Sequence, residues 1–115
     1  MPLMQIKTNV MLSEKQREAR LAAMSRILSD VTNKPEKYCL VAYEHAAMLF
    51  GGETGPAAFV DIRGIGGLHR ETNAKLSAAL APEIRKALGV PPGRLYLTFT
   101  EVAADHWGWN GELFG

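Results

Sequence analysis

The feature that most restricts how this chain can fold is a weak internal repeat. The stretch Pro35-Glu-Lys-Tyr-Cys-Leu-Val-Ala-Tyr-Glu44 lies over Pro92-Gly-Arg-Leu-Tyr-Leu-Thr-Phe-Thr-Glu101 without a gap, a shift of 57 positions (35 to 92). The same shift carries Ile27 onto Ile84 and Val31 onto Leu88. A period of this length marks one supersecondary unit used twice, and each unit reads strand, helix, strand. Leu3, Met4 and Ile6 follow Pro2 without a breaker, so the first strand runs over Pro2–Thr8. Ser13-Glu-Lys-Gln16 has the form of a capping box, in which each side chain satisfies the other residue's free backbone N–H. Beyond it Ala19, Ala23, Met24, Ile27, Leu28 and Val31 recur at spacings of three and four, one apolar stripe of a helix reaching about Val31. Thr32-Asn-Lys-Pro35 ends that helix. The second strand is Tyr38–Glu44, the third Ala57–Arg63 and the fourth Leu95–Val102. Between the last two, a helix from about Glu71 to Leu88 stops at Gly89, with Pro91-Pro92 preventing its continuation.

Two such units predict an α+β fold of two pseudo-symmetric βαβ repeats. Right-handed crossovers place both helices on one face of a four-stranded mixed sheet. The run Cys39-Leu-Val-Ala42 is apolar at every position, which predicts a second strand buried on both faces. No remaining segment is long enough to cover the second face, so another copy of the chain is the expected cover, in a symmetric oligomer. The 115 residues suit a single domain spanning 1–115.

Several function classes are disfavoured by charge and composition. The net charge is +1 and both signs are spread along the chain, so no basic field points to nucleic acid or a membrane surface. The single cysteine, Cys39, cannot form an internal disulfide or a multi-cysteine metal cage. His45, His69 and His106 share no metal-ligand spacing, so no metal is expected. The opening MPLMQIKTNVML lacks the basic and apolar regions of a signal peptide, and no apolar run could span a bilayer; a cytoplasmic protein is expected. Gly64-Ile-Gly66-Gly67 matches neither the phosphate loop nor the full dinucleotide pattern and reads as a tight strand-to-helix turn.

The repeat comes with a set of short motifs: Met-Pro-Leu at the start, Thr8-Asn9-Val10, Lys34-Pro35-x-x-Tyr38, Phe50-Gly51-Gly52, Ile65-Gly66-Gly67, Pro92-x-Arg94-x-Tyr96 and Gly108-Trp109-Asn110. In this order and spacing they resemble the macrophage migration inhibitory factor and dopachrome tautomerase family, over essentially the whole chain. The resemblance implies a tautomerase-like homotrimer with sites between subunits. It also implies cofactor-free keto–enol tautomerisation of α-keto acids such as phenylpyruvate. Pro2 would be the base once Met1 is removed, because a prolyl nitrogen acylated by Met1 has no basic lone pair. Lys34 would bind the substrate carboxylate, and its charge with apolar walls would lower the amine's pKa toward neutrality. The Ile62 backbone N–H would also meet the carboxylate, and Tyr38, Tyr96, Trp107, Trp109 and Phe114 would form an aromatic wall. Apart from the resemblance, Pro2 reads as a strand-starting proline, Lys34 as a solvated lysine at a helix end, Ile62 as core, and the terminal aromatics as an interface seal. Asp61 stands where the animal cytokines carry a small hydroxyl residue; it either opposes Lys34 near Pro2 or pairs with Arg63. Thr98 and Trp107 also depart from them. The cytokines' C-x-x-C reads Ala57-Ala-Phe-Val60 here, so thiol–disulfide exchange does not carry over. The resemblance equally allows a cytokine-like protein-binding module with a vestigial site, secreted without a signal peptide, although no residue points to a protein receptor.

Overall fold

The computed structural model describes residues 1–115. The strands and helices follow as β1 (Leu3–Thr8), α1 (Glu14–Thr32), β2 (Leu40–His45), β3 (Ala58–Gly64), α2 (Arg70–Leu88), β4 (Leu95–Glu101), β5 (Gly108–Trp109) and β6 (Glu112–Leu113). The first sheet has the order β2-β1-β3-β4; β1 runs parallel to β2, β3 parallel to β4, and the central β1–β3 pair is antiparallel. Each parallel pair needs a crossover, and α1 and α2 supply them. The two helices pack on each other and over one face, enclosing a core that includes Met4, Met24, Leu28, Ile62, Leu80 and Ile84. Burying each of these side chains contributes about 1.5–3 kcal/mol.

The two halves are related by a shift of 56 positions, one fewer than the sequence alignment suggests. It carries the helix N-caps Ser13 to His69, the C-caps Asn33 to Gly89, and the short-turn caps Pro35 to Pro91. It carries the strand pair Met4↔Val41 onto Val60↔Leu97. The Gln5↔Asp61 pair maps onto itself, so the pseudo-two-fold axis passes through it. Apolar identity misleads by one position here because packing aligns buried positions, Met24 with Leu80 and Leu28 with Ile84.

The helix ends are held differently. Ser13 accepts from the Gln16 N–H and the Gln16 side chain accepts from the Ser13 N–H, completing the expected capping box. His69 makes no such bond at the start of α2. Glu101 instead accepts from the Leu68 N–H at 2.9 Å. Asn33 and Gly89 close the two helices in the left-handed region, at φ 56° and 69°. The α1 stripe differs from expectation at its start: Ala19 is exposed, while Leu12 and Leu21 pack on the core instead.

Two motifs prove to be structural clamps on the segment joining β2 to β3. Asn9 donates to the Gly55 carbonyl at 2.8 Å and accepts from the Ala57 N–H at 2.9 Å, and Thr8 donates to the Ala57 carbonyl at 2.8 Å. The Arg94 guanidinium donates to the carbonyls of Phe50, Glu53, Thr54, Gly55 and Pro56 and lies over the Phe50 ring. A planar fork with several donors suits a cluster of carbonyls that one ammonium could not span.

β2 does not show the two-sided burial expected of it. It is an edge strand, and Leu40 is 56% exposed. The sheet face away from the helices is uncovered within one chain, and its far edge exposes Tyr96 by 65%. Neither helix is long and apolar enough to cross a membrane.

Candidate functional site

Because β1 lies inside the sheet, its first residues are held from both sides. Pro2 is buried, and its carbonyl accepts the Leu40 N–H at 3.1 Å. The turn after β3 presses from the other side: a Cβ added at Gly64 would stand 3.7 Å from the Met1 carbonyl oxygen and 3.4 Å from the Leu68 side chain. Both are ordinary van der Waals distances, so the turn packs against Met1 without requiring glycine at 64.

Two cavities meet at the N-terminus. The inner one, about 10 Å³, is bounded by Pro2, Thr32, Lys34 and the Gly64-Ile65-Gly66 turn. The outer one, about 250 Å³, is walled by Lys37, Tyr38, Cys39, Trp107, Trp109 and Phe114. Met1 lines both and is the only residue they share.

Lys34 reaches this place because α1 ends at Thr32, two residues earlier, with Asn33 as its cap. Asn33 reverses the chain, the Lys34 N–H donates to the Ser29 carbonyl at 3.2 Å, and the Ser29 hydroxyl donates to the Lys34 carbonyl at 2.6 Å. The Lys34 ammonium has no carboxylate partner; the ion pairs of the molecule are Arg63–Asp61, Lys75–Glu71 and His106–Asp105. Burial, and after it the positive charge of Lys34, holds the Met1 amine below the ordinary range of an α-amino group, with Cys39 opposing. Burial also pushes the Cys39 thiol up; the amine acts in the opposite sense, and Glu36 adds to the rise.

The aromatic wall is built by the tail. β5 and β6 pair as a hairpin whose turn residues, Asn110 and Gly111, sit at φ 54° and 80°. Asn-Gly is the dipeptide that such a turn favours, so the sequence carried a hairpin signal beyond the Gly108-Trp109-Asn110 motif. The Phe114 N–H donates to the Trp107 carbonyl at 3.1 Å. Trp109 stacks on Phe114 at 5.9 Å between ring centroids and meets Tyr38 edge-on at 5.6 Å.

Of the residues expected at the site, Pro2 and Lys34 share the inner cavity, while Tyr38, Trp107, Trp109 and Phe114 share the outer one. Two do not join them. The Ile62 side chain is fully buried in the core, opposite Met4 and Phe99, and lines neither cavity. Tyr96 lies on β4, separated from β1 by β3, with its ring 4.9 Å from Phe50. Tyr38 belongs to a 3₁₀ turn, Glu36–Tyr38, rather than to β2, and that turn points it into the cleft wall. Asp61 binds Arg63 at 3.1 Å and accepts from Thr98 at 2.8 Å, so its charge is committed within the sheet. Sequence reasoning missed Lys37, Cys39, Thr32 and the Gly64–Gly66 turn as lining residues. Lys37 and Cys39 flank Tyr38 directly, which was the available signal. No three His, Cys, Asp or Glu side chains gather as a metal site would need.

Comparison with known proteins agrees with this architecture. The family model described as macrophage migration inhibitory factor matches residues 1–115. A macrophage migration inhibitory factor homologue of Trichinella spiralis is 34% identical over 99% of this chain and 100% of its own. The solved macrophage migration inhibitory factor of Toxoplasma gondii superposes with a TM-score of 0.94 at 34% identity, covering 97% of this chain and 99% of that one. A homologue from Prochlorococcus marinus gives 0.93 at 32% identity, covering 98% and 99%. The chain belongs to the macrophage migration inhibitory factor family, within the tautomerase superfamily.

Proposed function

We propose that this family member, once Met1 is removed, is a cofactor-free keto–enol tautomerase of phenylpyruvate-like α-keto acids. The observation that carries this is the environment of the N-terminal amine, which burial and Lys34 together bias toward the neutral form. A Pro2 amine uncovered at that place would meet the same two influences. Neutral and basic, it would take a proton from the carbon beside the keto group and return one to the enol, as general base and then general acid. Lys34 would hold the substrate carboxylate, with the Ile62 contribution limited to its backbone N–H. Loss of Met1 would remove the one residue that lines both cavities and extend the inner one toward the outer. The aryl group would then stack along Tyr38, Trp107, Trp109 and Phe114.

The uncovered sheet face supports a homotrimer as the working form, with Tyr96 supplied to each site by a neighbouring copy. Its exposure and its distance from Pro2 within one chain favour that assignment. The test is turnover of phenylpyruvate by protein whose N-terminal mass shows Met1 absent, beside a Pro2→Gly variant prepared the same way. Loss of turnover in the variant is expected. Equal rates would end the assignment of Pro2 as base. Capture of a specific protein partner unaffected by Pro2 substitution, with no turnover at all, would favour a protein-binding role instead.

A further inference from the structure

The outer cavity holds a cation that the reaction above does not use. Lys37 stands in the 3₁₀ turn that follows Lys34-Pro35, and Pro35, at φ −59°, stiffens the connection. The two lysines line different cavities, Lys34 the inner and Lys37 the outer, and Met1 lines both. The Lys37 ammonium lies 5.1 Å from the centre of the Tyr38 ring and pairs with no carboxylate. The other lining residues of the outer cavity, from Tyr38 to Phe114, bring no carboxylate, and Glu36 lies outside the lining. The two cavities together would therefore have an unpaired ammonium at each end and an apolar, aromatic floor between them.

We infer that Lys37 is a second anion-binding residue of this cleft, selecting α-keto acids that carry another carboxylate at the far end of the side chain. This rests on the tautomerase reading above. A planar ligand would place its keto-acid end at Lys34 and Pro2, stack along the aromatic floor, and set its distal carboxylate against Lys37. A substrate without that group leaves Lys37 hydrated at the rim, which costs little, so the residue acts by preference rather than exclusion. Because Lys37 is exposed, its attraction is screened by solvent and weakens with salt.

The experiment compares kcat/KM for phenylpyruvate and for its para-carboxylated analogue, using Met1-free wild type, Lys37→Gln and Lys37→Glu. Wild type should prefer the diacid. Lys37→Gln should lower kcat/KM for the diacid roughly fivefold at low salt, in line with an exposed ion pair, and leave phenylpyruvate within about twofold. Lys37→Glu should lower the diacid further, and added salt should shrink both losses. Equal losses on the two substrates, or no diacid preference in wild type, would overturn the inference. If wild type turns over neither compound, the tautomerase reading fails and the Lys37 assignment is decided by calorimetry with benzoate and terephthalate. There, weaker binding of terephthalate alone in Lys37→Gln supports the assignment, and any other pattern removes it.

Discussion

At the head of β1 the molecule holds Pro2 and Lys34; 56 positions on, at the head of β3, the equivalent places hold Ala58 and Val90. The backbone frame is the same, but the contents are opposite. Ala58 is 3% exposed and Val90 is fully buried, both within the hydrophobic core. The residue before each strand differs too. Ala57, ahead of β3, is tied down by Thr8 and Asn9. Met1, ahead of β1, instead lines two cavities. A βαβ unit thus offers the same crevice twice, between the strand head and the loop beyond the helix. Apolar side chains close it into core at one place. At the other a cation and an amine leave it open to chemistry.

The largest effect should come from exchanging contents. Val90→Lys would put an unpaired ammonium into a closed core and cost on the order of 4 kcal/mol, because such a group must ionise in an apolar site or give up its proton. Denaturant unfolding would measure it. The reciprocal Lys34→Val should cost far less, about 1 kcal/mol at most, because this half-buried ammonium has no carboxylate partner to lose. Similar costs for both would mean that the crevices are not distinct.

Next, Pro2→Gly in Met1-free protein should lower kcat/KM for phenylpyruvate about a hundredfold or more, the usual contribution of a positioned general base. Ala58→Gly should leave the rate per folded molecule unchanged.

Lys34→Gln sharpens the same contrast through pH. In the chain with Met1 in place the folded Met1 amine lies below its ordinary value, so the unfolded chain binds more protons between the two values, and stability rises with pH across that window. Stability from this source is complete above the ordinary value near ~8 and is lost as pH falls through the lowered one. Removing Lys34 should move the amine's titration upward, read by NMR of the N-terminal residue, and carry the rising limb of the pH–rate profile with it. An unmoved limb would show that the lysine charge does not tune the amine.

The smallest effect concerns the helix starts. Ser13→Ala should cost α1 about 1 kcal/mol, whereas His69→Ser should gain α2 up to about 1 kcal/mol by adding the bond it lacks. Thermal unfolding at fixed pH would separate the two signs.

Much of this frame is legible in the chain itself. Ser13-x-x-Gln16, the stops at Asn33 and Gly89, and the apolar spacing of both helices are local features. Each depends on neighbours within about a turn, and the structure places the caps where the spacing puts them, with the α1 stripe departing only at exposed Ala19. The pairing of Pro2 with Lys34, and of Tyr38 with the tail aromatics, is legible through the family resemblance, because their motifs keep a fixed order. Other features depend on contacts between residues far apart in sequence. The repeat register is 56 rather than 57 because buried positions, not similar letters, must superpose across the pseudo-two-fold. Tyr96 goes to the far edge because strand order decides what its side chain faces, and strand order is not a local property. Sequence determined which segments are helix and strand, and that the two halves are one unit repeated. Only the tertiary structure decided which of the two equivalent crevices stays open, because that depends on which side chains from distant segments fill it.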